Sequence, residues 1–351
     1  MLILWNLLSL QKKMLVMLIK NRIEFIDIAK GFTILIIVLT HTYGDSGGSV
    51  LEVLSIFKVP TFFALSGLFF KTYDSSSTFF RKKCNQLIIP LIFTVFFLSL
   101  PWNILLELHA GNSLIINNLV FMPGTNRFNF GMAPGAWFVL CLLFIESFFY
   151  LLSVFFRGNI YVLSFVSLFA GITGYMLNVV GISLPIWIDT ALTSLPFFYF
   201  GVLLGLYSDV VKSDMSSKQW GVLFISFLFF LFSICLLGEG EIFYAGNRYS
   251  VNLICLYGGG GAGILIVILV SKIIKSFPLI SYVGRFSLIV LLTHQLYLFV
   301  LRNIIYQLHL PQDNYLISLV LFIIVVLLSY PTIFLCKKYL PWAFGLKDVI
   351  K

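Results

Sequence analysis

Ten separate runs of about twenty apolar residues fill this chain, near residues 25–43, 51–70, 87–106, 136–156, 160–180, 188–206, 220–238, 250–271, 287–305 and 315–336. A helix needs about 20 apolar residues to cross a hydrocarbon core. The runs are continuous and rich in Leu, Ile and Phe, without the alternation of a membrane β-barrel. Backbone polar groups inside a bilayer must be satisfied within the protein, which leaves helices. The expected fold is an all-α integral membrane protein of about ten transmembrane helices. Composition excludes the soluble alternatives. Only 11% of the 351 residues are charged and the mean hydropathy is +1.02, whereas a soluble domain carries about 25% charged residues. An aromatic share of 17% does not suit a disordered chain.

Lys and Arg set the expected orientation, because cytoplasmic loops of membrane proteins are enriched in them. With both termini cytoplasmic, 18 of the 23 Lys and Arg residues fall on the cytoplasmic side. Arg127 and Arg248 face outward, Arg302 lies near an outer span end, and Lys30 and Lys58 lie within spans. Shifting the parity by one helix destroys this asymmetry. The net charge of +9 is thus accounted for by topology, with the lipid bilayer as partner and no nucleic acid. The chain divides into an N-terminal segment 1–21, a transmembrane domain 22–340 and a short cytoplasmic tail 341–351. The first segment holds two apolar pieces split by Gln11-Lys12-Lys13, each too short to span. It reads as a helix on the inner membrane face or as an over-called start before Met14 or Met17, and it lacks the features of a signal peptide. The five cysteines are far apart and show no metal-ligand spacing; a Cys235–Cys255 bridge is the one conceivable pairing. The glycine-rich stretch Gly258–Gly263 lies in an apolar span and suits close helix packing.

Ionisable residues within spans are costly and mark candidate sites. The first span holds Asp27 and Lys30, and it closes with Thr40-His41-Thr42. Lys30 and His41 are eleven residues apart, which puts them on one helix face about 16 Å apart along the axis. Lys30 then sits toward the cytoplasm and His41 in the outer half, with Thr33, Ile34 and Ile37 expected to line a path between them. Taken alone, Lys30 also suits a snorkelling lysine paired with Asp27, and His41 a packing histidine. Lys58 beside Pro60, Glu146 and His294 are further intramembrane candidates, each as suited to polar helix contacts as to a site wall. The longest outer loop carries Asn126, Arg127 and Asn129 and runs into Trp137-Phe138. Aromatic faces stack on sugar CH groups and amides pair with hydroxyls, so this loop suits a glycan; an interfacial aromatic belt suits it equally. Arg81-Lys82-Lys83 precede the third span, either as a positive-inside signal or as contacts for the phosphates of a cytoplasmic donor.

At these residues the chain resembles the membrane acyltransferase-3 family, in particular its fucose-4-O-acetylase-like branch. The stretch from Arg22 to Gly31 is similar to the family's opening, and Lys30 to His41 matches its Lys/Arg-x10-His pattern. Val59-Pro60-Thr61-Phe62-Phe63-Ala64-Leu65-Ser66-Gly67 resembles a family stretch ending in Ser-Gly. Trp137-Phe138-Val139 is close to a Trp-Phe-Leu signature, and Ser287 to His294 resembles a Ser…His segment. Gln86 stands where the family often has a second Arg, Thr40 where this branch often has Gly, and Lys58 where it often has His.

The resemblance implies transfer of an acyl group, usually acetyl, from cytoplasmic acetyl-CoA to a hydroxyl of a surface polysaccharide or lipid-linked glycan, at a cell membrane. His41 and Lys30 are the implied catalytic residues. An imidazole at neutral pH takes a proton from an attacking hydroxyl, or is itself acylated and relays the group. Lys30, Arg81, Lys82 and Lys83 are the implied donor-binding residues. Arg127, Asn126, Trp137, Lys58, Glu146 and His294 are candidates for the acceptor side, and Asp27, Ser66 and Gly67 for the structural motif. Acetyl-CoA is the only cofactor implied, as co-substrate, and no metal. The alternative class is a polysaccharide transporter or lipid-linked glycan flippase; such proteins often show internal repeats, and the chain has none. A glycan polymerase is the third reading, against which stands an outer loop of modest size.

Overall fold

A computed structural model describes residues 23–43, 48–73, 75–109, 121–122, 127–131, 133–206, 215–237, 240–311 and 314–350. The segment 1–21, Asn126 and Lys212 lie outside them. Among the described residues ten helices are long and apolar enough to cross a membrane. They are α1 (Glu24–Tyr43), α2 (Leu51–Leu68), α3 (Ser76–Leu105), α4 (Ala136–Phe155), α5 (Ile160–Val179), α6 (Pro185–Leu206), α7 (Ser217–Leu237), α8 (Ile254–Ile274), α10 (Ser287–Gln307) and α11 (Tyr315–Tyr339). A short helix, α9 (Pro278–Arg285), precedes α10. A two-stranded hairpin of β1 (Ile242–Phe243) and β2 (Arg248–Tyr249) joins α7 to α8. The ten-span all-α architecture read from the apolar runs is the architecture found.

Most span boundaries fall within a few residues of expectation, but α3 begins eleven residues earlier than its apolar run. Ser75 caps it by accepting from Thr78 N, the preferred chemistry at a helix start. The polar turn through Arg81-Lys82-Lys83 is therefore helical and continuous with the span. It passes into a π-helical turn at Cys84–Ile88, just before Pro90, which has no N–H to donate to the preceding turn. Asn85 is buried within that widened turn. Its Oδ1 accepts from Val349 N and Ile350 N, and its Nδ2 donates to Ile350 O. The C-terminal tail is thus tied to the basic end of α3 rather than hanging free.

Contacts sort the span ends into two groups. Ser276 donates to Glu24, Tyr150 pairs with Ser76, and Asn85 holds the tail; this is the basic face. At the other end, the loop face, Tyr43 meets Tyr315, Asn178 bonds Tyr249, and Arg127 bonds the α7–α8 hairpin. Large apolar side chains such as Phe165, Phe169, Phe224 and Ile225 stand exposed on α5 and α7, as expected where lipid is the solvent.

The core is the contact of α2 with α6. Gly67 lies so close to the Phe198 carbonyl, and Gly201 to the Ala64 carbonyl, that a Cβ on either would fall within 2 Å of the oxygen. Small residues let membrane helices approach in this way. The glycine-rich stretch of α8 packs likewise, with Gly259 and Gly260 against Ile56 and Phe197. Helix α9 lies alongside α1, with Gly284 against the Asp27 carbonyl and Gly31 against the Ile280 carbonyl. This placement starts α10 level with the body of α1, so that residues early in α10 meet residues late in α1. All five cysteines are free; the Cys255 thiol donates to Ser233 O, and no Cys235–Cys255 bridge forms.

Overpacking a tight contact costs typically 1–3 kcal/mol, and at Gly201 the obstacle is backbone. Gly201→Ala should lower the thermal midpoint of the detergent-solubilised protein. Gly261→Ala, a position with nothing within 4 Å of the added methyl, should not. Equal midpoints for the two variants would show that the α2–α6 approach does not hold the bundle.

Candidate active site

At the loop face, His41 lies in the last turn of α1 and is accessible. Its ring lies beside that of His294 of α10, with centroids 5.3 Å apart and planes at 35°. The register set by α9 produces this meeting. Span α2 is broken between Ser55 and Lys58, and Lys58 opens its second half. The Lys58 ammonium donates to Thr40 Oγ1 at 3.0 Å, which brings a cation next to His41. Glu52, earlier in α2, acts electrostatically on Lys58. Arg302 of α10 donates to the carbonyls of His41 and Thr42 at 3.1 and 3.2 Å, fixing the end of α1. Two imidazoles and two cations therefore converge from α1, α2 and α10.

At the basic face, Lys30 lies over the Phe69 ring, 5.1 Å from its centroid, and Asp27 acts on it electrostatically. Phe69 begins the segment that holds Lys71 and Tyr73. Lys82 lies 5.0 Å from the Tyr73 ring centroid, and Lys83 pairs with Glu146 at 2.9 Å. Burial first, and then the charges of Lys82 and Lys83, hold the Lys71 ammonium below its ordinary pKa. Burial and the Glu146 carboxylate raise that of the Tyr73 phenol. Three lysines crowd around one carboxylate, and an incoming anion would relieve their repulsion. The Arg81 side chain is exposed, and its carbonyl accepts from Asn85.

Between the loop 127–137, α6 and the α7–α8 hairpin lies a cavity of about 420 Å³. Phe128, Asn129, Phe130, Trp137, Trp187 and Phe243 are among the residues that line it. Ile186 and Trp187 have positive φ of 58° and 61°, uncommon for bulky residues, and this turn sets the Trp187 indole against Phe130 and the Arg127 guanidinium. Gly135 is in close contact with the Leu291 carbonyl, one turn from His294, so the Pro134–Trp137 wall abuts the helix that carries the second imidazole.

Three expectations need correction. Glu146 does not stand with the acceptor-side residues. It lies ten residues into α4, about 15 Å from its loop-face end, where Lys83 neutralises it. Arg127 borders the cavity but is 4% exposed. Its guanidinium bonds Asp189 at 2.6 Å, Ser183 at 3.1 Å, Gly246 at 3.3 Å, and Ala245 O, so it ties three segments together. The face of α1 between Lys30 and His41 is not an open path. Thr33, Ile34 and Ile37 are buried, and Thr33 Oγ1 donates to Ala29 O within the helix. Of the remaining candidates, Trp137 lines the cavity and Gly67 makes the α2–α6 contact with Ser66 beside it. Asn126 lies outside the described residues.

Glu52, Lys71, Asp189 and Arg302 were not among the sequence candidates. Glu52 and Asp189 carried the signal applied elsewhere, an acid inside an apolar run. Lys71 and Arg302 looked like ordinary span-end cations.

A family model described as an acyltransferase domain matches residues 23–334, nearly the whole chain. The protein belongs to the acyltransferase-3 family. It is a multi-pass membrane acyltransferase. No curated protein and no solved structure matches it. The match embraces Lys30, His41, the Lys71–Lys83 cluster and His294, and it ends before the tail held by Asn85 in this acyltransferase.

Removing one partner of a buried ion pair costs about 3–5 kcal/mol, because a charge is left buried. Asp189→Ala should therefore lower the acyltransferase's thermal midpoint strongly. An unchanged midpoint with a raised acceptor KM would instead return Arg127 to substrate contact.

Proposed function

We propose that this acyltransferase moves an acetyl group from acetyl-CoA, bound at the basic face, to a hydroxyl of a surface polysaccharide or lipid-linked glycan at the loop face. The observation that carries this is the pairing of chemistries at the two ends of α1. A cluster of lysines lies at one end, and an accessible imidazole beside a second imidazole and a lysine lies at the other. The excess of Lys and Arg supports placing the basic face and both termini in the cytoplasm, where acetyl-CoA is found; the cell membrane as location follows from the proposed surface acceptor. The resemblance to the fucose-4-O-acetylase-like branch supports a sugar hydroxyl as acceptor.

Each residue set has a part. Lys71, Lys82 and Lys30 contact the CoA phosphates, with Tyr73 between them, and Arg81 contributes from the surface. His41 takes the proton of the attacking hydroxyl as its oxygen bonds to the thioester carbonyl carbon. Lys58 stands where a positive charge stabilises the developing oxyanion. The C–S bond breaks and the thiolate leaves with the proton that His41 received. The aromatic wall of Phe128, Trp137 and Trp187, with Asn129, accommodates the rest of the sugar. The reaction uses no metal. Because Thr33, Ile34 and Ile37 are packed, the thioester reaches His41 only when this seal between the two ends opens.

Membranes supplied with labelled acetyl-CoA test both ends. His41→Ala should reduce transfer about 10²–10⁴-fold at normal membrane abundance, since it removes a polar group from a span. Lys71→Gln with Lys82→Gln, which leaves the Lys83–Glu146 pair intact, should raise the KM for acetyl-CoA about ten-fold or more, because charge-assisted phosphate contacts are strong. Full activity of His41→Ala contradicts the assignment of the base. A normal donor KM in the double variant reduces the lysines to topology signals.

A further inference from the structure

His294 has an atom that the chemistry above leaves unused. The residue is 1% exposed, and Nδ1 lies 2.9 Å from the Val290 carbonyl one turn earlier on α10. A carbonyl only accepts, so Nδ1 carries the proton, and in the neutral ring Nε2 bears a lone pair. Nε2 is buried and has no hydrogen-bond partner among the described residues. Buried polar atoms are nearly always paired, and leaving one orphaned is costly. Thr293 Oγ1 donates to Ile289 O, Lys58 to Thr40, and Arg302 to the carbonyls at the end of α1. No hydrogen bond between described residues joins the His294 ring to that of His41, although the centroids are only 5.3 Å apart.

We infer that His41 and His294 together read two adjacent hydroxyl groups of the acceptor. His41 takes the proton of the hydroxyl that attacks, and His294 Nε2 accepts a hydrogen bond from the hydroxyl on the neighbouring carbon. Two oxygens on adjacent carbons lie closer together than the two rings, and each O–H reaches its nitrogen over about 2.8 Å. His294 neither gains nor loses a proton, so the balance of the transfer is unchanged. The acceptor is thereby a vicinal diol, acetylated beside a free hydroxyl. This rests on the proposed acetyl transfer and adds a rule of selection to it. A site built to bond a hydroxyl rejects analogues that lack it far more strongly than an apolar pocket rejects an added one.

The test uses membranes carrying the full-length protein with their own glycan and labelled acetyl-CoA. The ester is located by NMR in the wild-type product, and kinetics are compared for His294→Leu and His294→Gln. The ester should sit on a carbon whose neighbour bears a free hydroxyl. His294→Leu should lower kcat/KM for the glycan about 10–100-fold with the KM for acetyl-CoA unmoved. His294→Gln, which keeps an acceptor oxygen, should retain more activity. An ester with no free hydroxyl on either neighbouring carbon overturns the inference, and that result needs no variant to fold. So does a His294→Leu protein with wild-type acceptor kinetics, or one in which donor and acceptor parameters fall together. If the wild-type protein moves no label at all, the acetyl-transfer proposal itself fails, which is a distinct outcome.

Discussion

Charge is expensive inside hydrocarbon, and that cost organises this bundle. Several ionisable side chains within spans find partners on other segments, and these partnerships become ties between spans. Lys83 and Glu146 join α3 to α4. Arg127 and Asp189 join the long loop to α6. Lys58 joins α2 to the end of α1 through Thr40, and Arg302 joins α10 to the same place. Against this background two places stand out. The lysines around Tyr73 outnumber the carboxylate among them, and His294 Nε2 has no partner among the described residues. An anion would complete the first and a hydroxyl the second.

The spans were legible in the sequence because each depends only on its own run of apolar residues. The basic asymmetry was legible for the same reason. The site was legible only in part. Helix arithmetic put Lys30 and His41 on one face, but it gives an azimuth and not a neighbour. It could not show that Thr33, Ile34 and Ile37 on that face are packed shut. Nor could it show that Lys83 reaches back to Glu146, or that Asp189 claims Arg127, since these partners lie 62 or more residues apart in the chain. The meeting of His41 with His294 depends on depth. Counted from the span ends, one residue lies late and the other early, and only the packing of α9 along α1 brings them level.

Helix α1 links the two ends of the proposed reaction and also separates them. Its buried middle keeps the bilayer sealed, and its termini present Lys30 to the basic face and His41 to the loop face. The tail held by Asn85 braces the basic end, beside the π-helical turn that follows the lysines. Such turns are frequent at functional sites. A donor on one side and an acceptor on the other is thus the feature on which the functional account depends.

Sealed, oriented membrane vesicles test that feature most directly. Labelled acetyl-CoA is supplied on one face only and the glycan acceptor on the other. The account predicts that label reaches the acceptor when acetyl-CoA is on the face of Lys71, Lys82 and Lys83, and not in the reverse orientation. Transfer only when donor and acceptor share one face would contradict it.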